Sequence, residues 1–208
     1  MIDNKASTNK ASTNNFFGFY AVVILLLLAA GISSRWLLID HPNFKPVAAI
    51  AIFCGFLFSH SRVGLLVGIG AVVGIMLISD ATLGFYEWPT MFAVYSSMLL
   101  ACVLGNLAGG WFANPTRLVQ LGSLTTMAFV SSCIFFMLTN AAVVFAGWYP
   151  FSLAGFISSY AAGVPFFKFT VFGDLIFTIG IFSFYVLAKQ LMEKLPTKWS
   201  VDLPVSNR

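Results

Sequence analysis

From Leu118 to Phe167 the chain carries no Asp, Glu, Lys or Arg. A soluble domain of this length needs charge on its outer surface, so such a stretch belongs in hydrocarbon or in a core that hydrocarbon surrounds. Within it Leu118–Leu138 is one apolar run, and others repeat the pattern: Phe16–Ser34, Val63–Ser79, Met91–Ala113 and roughly Phe169–Ala188. About 20 apolar residues cross a bilayer core as helix. Charged residues make up only 9% of the 208 and hydrophobic ones 59%. That balance, against about 25% charged in an average soluble domain, excludes a soluble enzyme, a nucleic-acid binder and a secreted disulfide scaffold. The expected fold class is all-α, a polytopic membrane helical bundle.

Pro46–Ser59 is a shorter apolar run, and its status decides the topology. Counted as a span, it makes six, and both termini fall on one side. The inner side then carries Lys5, Lys10, Arg62, Arg117, Lys189, Lys194, Lys198 and Arg208, and the outer side Arg35, Lys45 and Lys168. That asymmetry follows the positive-inside rule with cytoplasmic ends. Trp36, Trp88, Trp111, Trp148 and Trp199 fall near span ends or beyond them, as an aromatic belt would. Phe16–Ser34 is longer than the apolar core of a signal peptide and is expected to be a retained helix. Phe151–Gly163 follows the break Gly147-Trp148-Tyr149-Pro150 and is too short to span. It is expected to form a separate interfacial or partly buried helix on the outer side.

Three units result. Residues 1–15, with the tandem Lys5-Ala6-Ser7-Thr8-Asn9 and Lys10-Ala11-Ser12-Thr13-Asn14, form a disordered cytoplasmic tail. Residues 16–192 form a single six-helix domain, and 193–208 a short cytoplasmic tail. Cys54, Cys102 and Cys133 sit singly in apolar runs and read as buried small hydrophobes, with no metal-binding spacing. Gly64/Gly68, Gly70/Gly74 and Gly105/Gly109 are pairs four apart that let helix backbones approach. Internal packing is the favoured use, an oligomer contact the other.

Sorting polar residues by side is more informative. The outer loops gather Arg35, Asp40, His41, Asn43, Lys45, Asp80, Tyr86, Glu87, Trp88, Asn140, Trp148, Tyr149, Tyr160, Lys168 and Asp174, which include four of the seven acids. The inner loops hold basic anchors. A ligand site is therefore expected outside, with Asn43, Asp80, Asn140, Trp148, Tyr149 and Asp174 lining one cavity between helix ends. Asp80 and Asp174 would supply charge or acceptors, the two asparagines neutral hydrogen bonds, and the two aromatics a stacking wall. Each has a plainer alternative. Arg35 reads as a snorkelling anchor, Asp80 and Asp174 as solvated helix-end charges, and Asn140 as a cap. His41 reads as exposed and His60 as a cap or anchor. No zinc-binding His-Glu-x-x-His, no Gly-x-Ser-x-Gly elbow and no phosphate loop occurs. The expected protein is not an enzyme and needs no cofactor or metal.

Several segments together carry a resemblance: His41-Pro42-Asn43-Phe44-Lys45-Pro46-Val47-Ala48-Ala49-Ile50-Ala51, Ser79-Asp80-Ala81-Thr82-Leu83-Gly84-Phe85, Thr139-Asn140, Trp148-Tyr149-Pro150, Leu153-Ala154-Gly155, Pro165-Phe166-Phe167 and Gly173-Asp174-Leu175. Over roughly residues 33–188 the chain resembles a family of uncharacterised bacterial six-span proteins, a domain of unknown function. That family is similar to the substrate-binding S components of energy-coupling-factor transporters. The resemblance implies a protein of the bacterial inner membrane that takes a vitamin or cofactor-like small molecule from the outer face. It implies a coupling subunit with paired ATPases as partner, beside the lipid bilayer, and no nucleic acid. One departure stands out. Many S components present Ala-x-x-x-Ala on the first helix, and neither Phe16–Ser34 nor Pro46–Ser59 has it; the nearest pair is Ala51 with Gly55. A second expectation is an accessory or assembly protein packing on another membrane complex. Reporter fusions at Lys10 and Lys194 should both read cytoplasmic; opposite readings would remove one span and the outer-site argument with it.

Overall fold

A computed structural model describes residues 21–41, 43–59, 61–109 and 117–193, so the expected N-terminal tail, His60, Trp111, Trp199 and the C-terminal tail lie outside the described residues. The described residues are all-helical: α1 (Ala21–Leu37), α2 (Val47–Leu57), α3 (Arg62–Leu83), α4 (Trp88–Ala108), α5 (Arg117–Phe145) and α6 (Leu153–Glu193). The last four are long and apolar enough to cross a membrane.

Their directions follow from which residues meet. On α1 and α3, Leu28 lies beside Gly74, Gly31 beside Ile75 and Arg35 beside Ser79, so the two helices run parallel. Phe58 at the end of α2 meets Gly64 and Gly68 at the start of α3, which makes that pair antiparallel. Phe44 contacts Phe177, and Phe53 contacts Phe182 and Tyr185, so α2 and α6 descend together. Directions alternate along the chain, and residues 21 and 193 lie at the same end of the bundle.

α2 is the centre. Each of its 11 residues is buried. At about 1.5 Å per residue it is about 16 Å long, half the thickness of a hydrocarbon core. Pro46–Ser59 is therefore not a span with a lipid-facing side but a short helix wrapped by its neighbours, and its apolar character on every side follows from that. Close approach is made possible by glycine. A Cβ on Gly105 would overlap the Ile52 carbonyl, and one on Gly55 would overlap the Cys102 carbonyl, so α2 and α4 touch backbone to backbone. Gly109 makes room for the Ser59 side chain, and Gly64 and Gly68 meet Phe58. These glycines serve internal packing. Gly70 faces open space. Cys54 and Cys102 are fully buried in this core and Cys133 is half-buried.

The segment Phe151–Gly163 departs from expectation. From Leu153 on it is the first part of α6, a single helix of 41 residues that runs through Pro165. Proline removes one backbone donor, which costs a helix interior a hydrogen bond. Here the part upstream of Pro165 is stitched to α5 instead of standing alone. Ser159 Oγ donates to the Asn140 carbonyl at 2.6 Å, and Tyr160 Oη donates to the Met137 carbonyl at 2.8 Å. Phe136 stacks against Tyr160 and Phe167, and Phe145 against Phe156. A periodicity reading stops at the proline because it cannot see these tertiary contacts.

The close α2–α4 contact yields a controlled test. Gly105→Val should destabilise the purified protein by about 1–3 kcal/mol or more, as overpacking does, while Gly70→Val should leave its melting temperature nearly unchanged. Equal effects from the two would show that the contact does not hold the helices at this spacing.

Candidate functional site

The first polar feature is an ion pair inside the bundle. Arg35 near the end of α1 and Asp80 near the end of α3 are 5% and 1% exposed, and Arg35 Nη2 lies 2.6 Å from Asp80 Oδ1. Arg35 is thus no snorkelling anchor, and Asp80 is not solvated. Parallel α1 and α3 bring both residues to one level, where a lone charge would be far costlier than the pair. Further groups complete the cluster. Arg35 Nη1 donates to Ser79 Oγ at 2.5 Å and to the Met76 carbonyl at 3.3 Å, and Tyr95 Oη donates to Asp80 Oδ2 at 2.8 Å.

Beside this cluster lies a cavity of about 330 Å³. Its inner end is formed by Arg35, Asn43, Lys45 and the first residues of α2, Val47 and Ala48. Met76, Val94, Met98, Phe135, Phe136, Val143 and Phe166 give it apolar walls, and the exposed Tyr86 marks its mouth. Thr90, Thr139, Asn140, Thr170 and Asp174 add polar groups from α4, α5 and α6. The inner end is deep. Asn43 and Phe44 touch Gly173, twenty residues along α6 from Leu153, about 30 Å at the helical rise. The connection between α1 and α2 therefore dips into the bundle, with Asn43 at a left-handed φ of 61° helping the chain turn there.

The structure divides the six expected site residues. Asn43, Asn140 and Asp174 line the one cavity. Asp174 is buried and its Oδ2 accepts from Ser132 Oγ at 2.7 Å. Asn140 is not a cap; it sits within α5, donates Nδ2 to the Phe136 carbonyl at 2.7 Å, and fits because Gly163 opposite has no side chain. Asp80 does not line the cavity but stands behind Arg35, which does. Trp148 and Tyr149 do not line it either. Trp148 is exposed and its Nε1 donates to Glu87 at 3.3 Å, tying the α5–α6 turn to the start of α4. The tight turn that carries them has Gly147 at φ 85°, and Tyr149 is half-buried there.

Lys45, Thr90, Thr139 and Thr170 are cavity residues outside that set. Lys45 had a visible signal: a charge directly before Pro46 and an apolar run too short to span. Half burial pushes its ammonium below the usual lysine range, the Arg35 charge adds to that, and Asp80 opposes it.

The chain matches a family of unknown function, DUF6580, over residues 14–196, and it belongs to that family. Neither a curated protein nor a solved structure matches it.

The ion pair makes a sharp prediction. Asp80→Leu alone should cost about 3–5 kcal/mol by stranding a buried guanidinium, and the double change Arg35→Met with Asp80→Leu should recover most of it. Thermal unfolding in detergent reads both. A double variant as unstable as the sum of the single ones would mean that the pair is not a unit.

Proposed function

We propose that this protein is an integral membrane component that captures a small molecule from the outer face for uptake, with no catalytic chemistry of its own. One observation carries the reading: a cavity with apolar walls and several polar points, lined by all six helices and the α1–α2 connection, at the end of the bundle opposite residues 21 and 193. Its size and its mix of walls and polar points suit a ligand of vitamin size or smaller. The positive-inside asymmetry puts the cavity mouth outward when both ends are cytoplasmic. The bacterial inner membrane, and energisation by a coupling subunit with ATPases in the manner of energy-coupling-factor systems, complete the reading. It rests there on the resemblance in the sequence. Docking on such a subunit would use a surface other than an Ala-x-x-x-Ala first helix. Ala51 and Gly55 cannot supply it, since both are buried on α2.

Native mass spectrometry of the protein extracted gently from membranes tests the proposal. The expected spectrum shows a bound small molecule, and Val143→Trp, which fills the cavity, should abolish that adduct without loss of folded protein. An adduct that persists in Val143→Trp would place binding elsewhere. No adduct in either protein, in membranes from cells grown on rich medium, would count against capture.

A further inference from the structure

We infer that Asp174 is the counter-charge for a cationic nitrogen, so that the ligand of the cavity carries an ammonium head on an apolar body. The inference rests on the cavity's being the binding site and adds the chemical class of what enters it.

The carboxylate is the first ground. Asp174 stands near the middle of the 41-residue α6 and is 3% exposed. Within a membrane bundle a charge at such a place is paired, or it serves a pathway or a ligand. The ion pair among the described residues is Arg35 with Asp80, and Asp174 has no such partner there. Ser132 Oγ donates to its Oδ2 at 2.7 Å, but the same hydroxyl lies 3.0 Å from the Ala128 carbonyl. A serine has one hydrogen to give, so even Oδ2 shares its donor. Oδ1 accepts no hydrogen bond among the described residues. It is not sealed in, as the unpartnered Thr90 Oγ1 and Thr178 Oγ1 are. Asp174 lines the cavity, so one carboxylate oxygen is left to what occupies that space.

The walls beside it are the second ground. Residues four apart on a helix share a face. Thr170 and Phe166 therefore stand one and two turns above Asp174, and Phe136 stands one turn along α5 from Ser132. All three line the cavity, together with Phe135. Aromatic faces are negative at their centres and attract a cation. An ammonium would meet the Asp174 carboxylate at its head and these rings along its body, and its N–H groups would make charge-assisted bonds to Oδ1.

The remaining charges of the cavity leave this place open. Arg35 is held by Asp80. Lys45 makes no ion pair with Asp174, and the charges that act on it are those of Arg35 and Asp80 at the ends of α1 and α3. Its ammonium is a like charge that disfavours a cation on that side and directs the head to α6.

Phenethylammonium, 2-phenylethanol and 3-phenylpropanoate share one apolar body and differ in the head. Equilibrium dialysis with the full chain in dodecyl maltoside, against empty micelles, should show the ammonium binding at least about tenfold more tightly than either analogue, or roughly 1.4 kcal/mol. Asp174→Asn should erase that preference, and Asp174→Glu should keep it. Should the asparagine variant fail to fold, Lys45→Gln carries the test: loss of the like charge should widen the preference for the ammonium. Equal binding of ammonium and alcohol, a preference that survives Asp174→Asn, or one that Lys45→Gln does not widen would overturn the cation subsite while leaving the cavity as the binding site. Binding of no probe, or binding that survives Val143→Trp, would overturn the cavity reading itself. Phosphatidylethanolamine added to the micelles separates the sources of the ammonium. Competition that depends on Asp174 assigns it to a lipid headgroup, and undiminished phenethylammonium binding assigns it to a free amine.

Discussion

A helix of 11 residues, buried on every side, is the constraint from which the rest of this architecture follows. It cannot cross a bilayer core alone, since it covers only about half that thickness. Its two ends must therefore lie within protein, and the chain on either side must travel inward to reach them. The neighbours must close around it without gaps, which is why glycines fall where α2 meets α4 and α3. The space above its first turn cannot be filled by α2 itself. It is left to the other helices and the α1–α2 connection to surround, and that space is the cavity.

Electrostatics then decides what kind of space it is. Buried charge is tolerated in such a bundle only when paired or when it serves a site. Arg35 and Asp80 satisfy the first condition, with Ser79 and Tyr95 completing their hydrogen bonds. The pair also bridges the ends of α1 and α3, so it fixes the point from which the α1–α2 connection descends. Asp174 and Lys45 are different. Asp174 has one neutral partner and Lys45 has none among the described residues, and both face the cavity. One set of charges is thus paired within the bundle, and another faces the cavity with few partners.

Much of this could be read in the sequence, and the gaps have physical causes. Uncharged runs gave the all-helical class and four long helices, because hydrocarbon leaves a composition signature over about 20 residues. The same signature is blind to a helix with no lipid-facing side, so Pro46–Ser59 looked like a weak span when it is the core. Sorting polar residues by end of the bundle brought Asn43, Asn140 and Asp174 to one place, since all three sit where helix ends or connections meet. Trp148 and Tyr149 fall outside the cavity lining, because being at the same end of the bundle does not bring residues into one cavity. Asp80 was assigned to the right end of the bundle, but its ion pair with Arg35 was not legible. Its partner Arg35 lies 45 positions earlier, and pairing at that separation depends on α1 and α3 being parallel neighbours.

The length of α5 and α6 has its own consequence. At about 1.5 Å per residue the 41 residues of α6 extend roughly 62 Å, and 29-residue α5 about 43 Å, both more than a bilayer core needs. Their outer parts are joined by Ser159, Tyr160 and stacked aromatic rings, so they form one antiparallel hairpin, not two loose ends. α2 starts about 30 Å down α6 from that hairpin's turn, while Trp148 at the turn reaches Glu87 at the head of α4. The hairpin thus stands as a tall wall over a low floor. Depth in the cavity comes from that mismatch of helix lengths. The floor, where Val47 and Ala48 begin α2, lies far below the top of that wall.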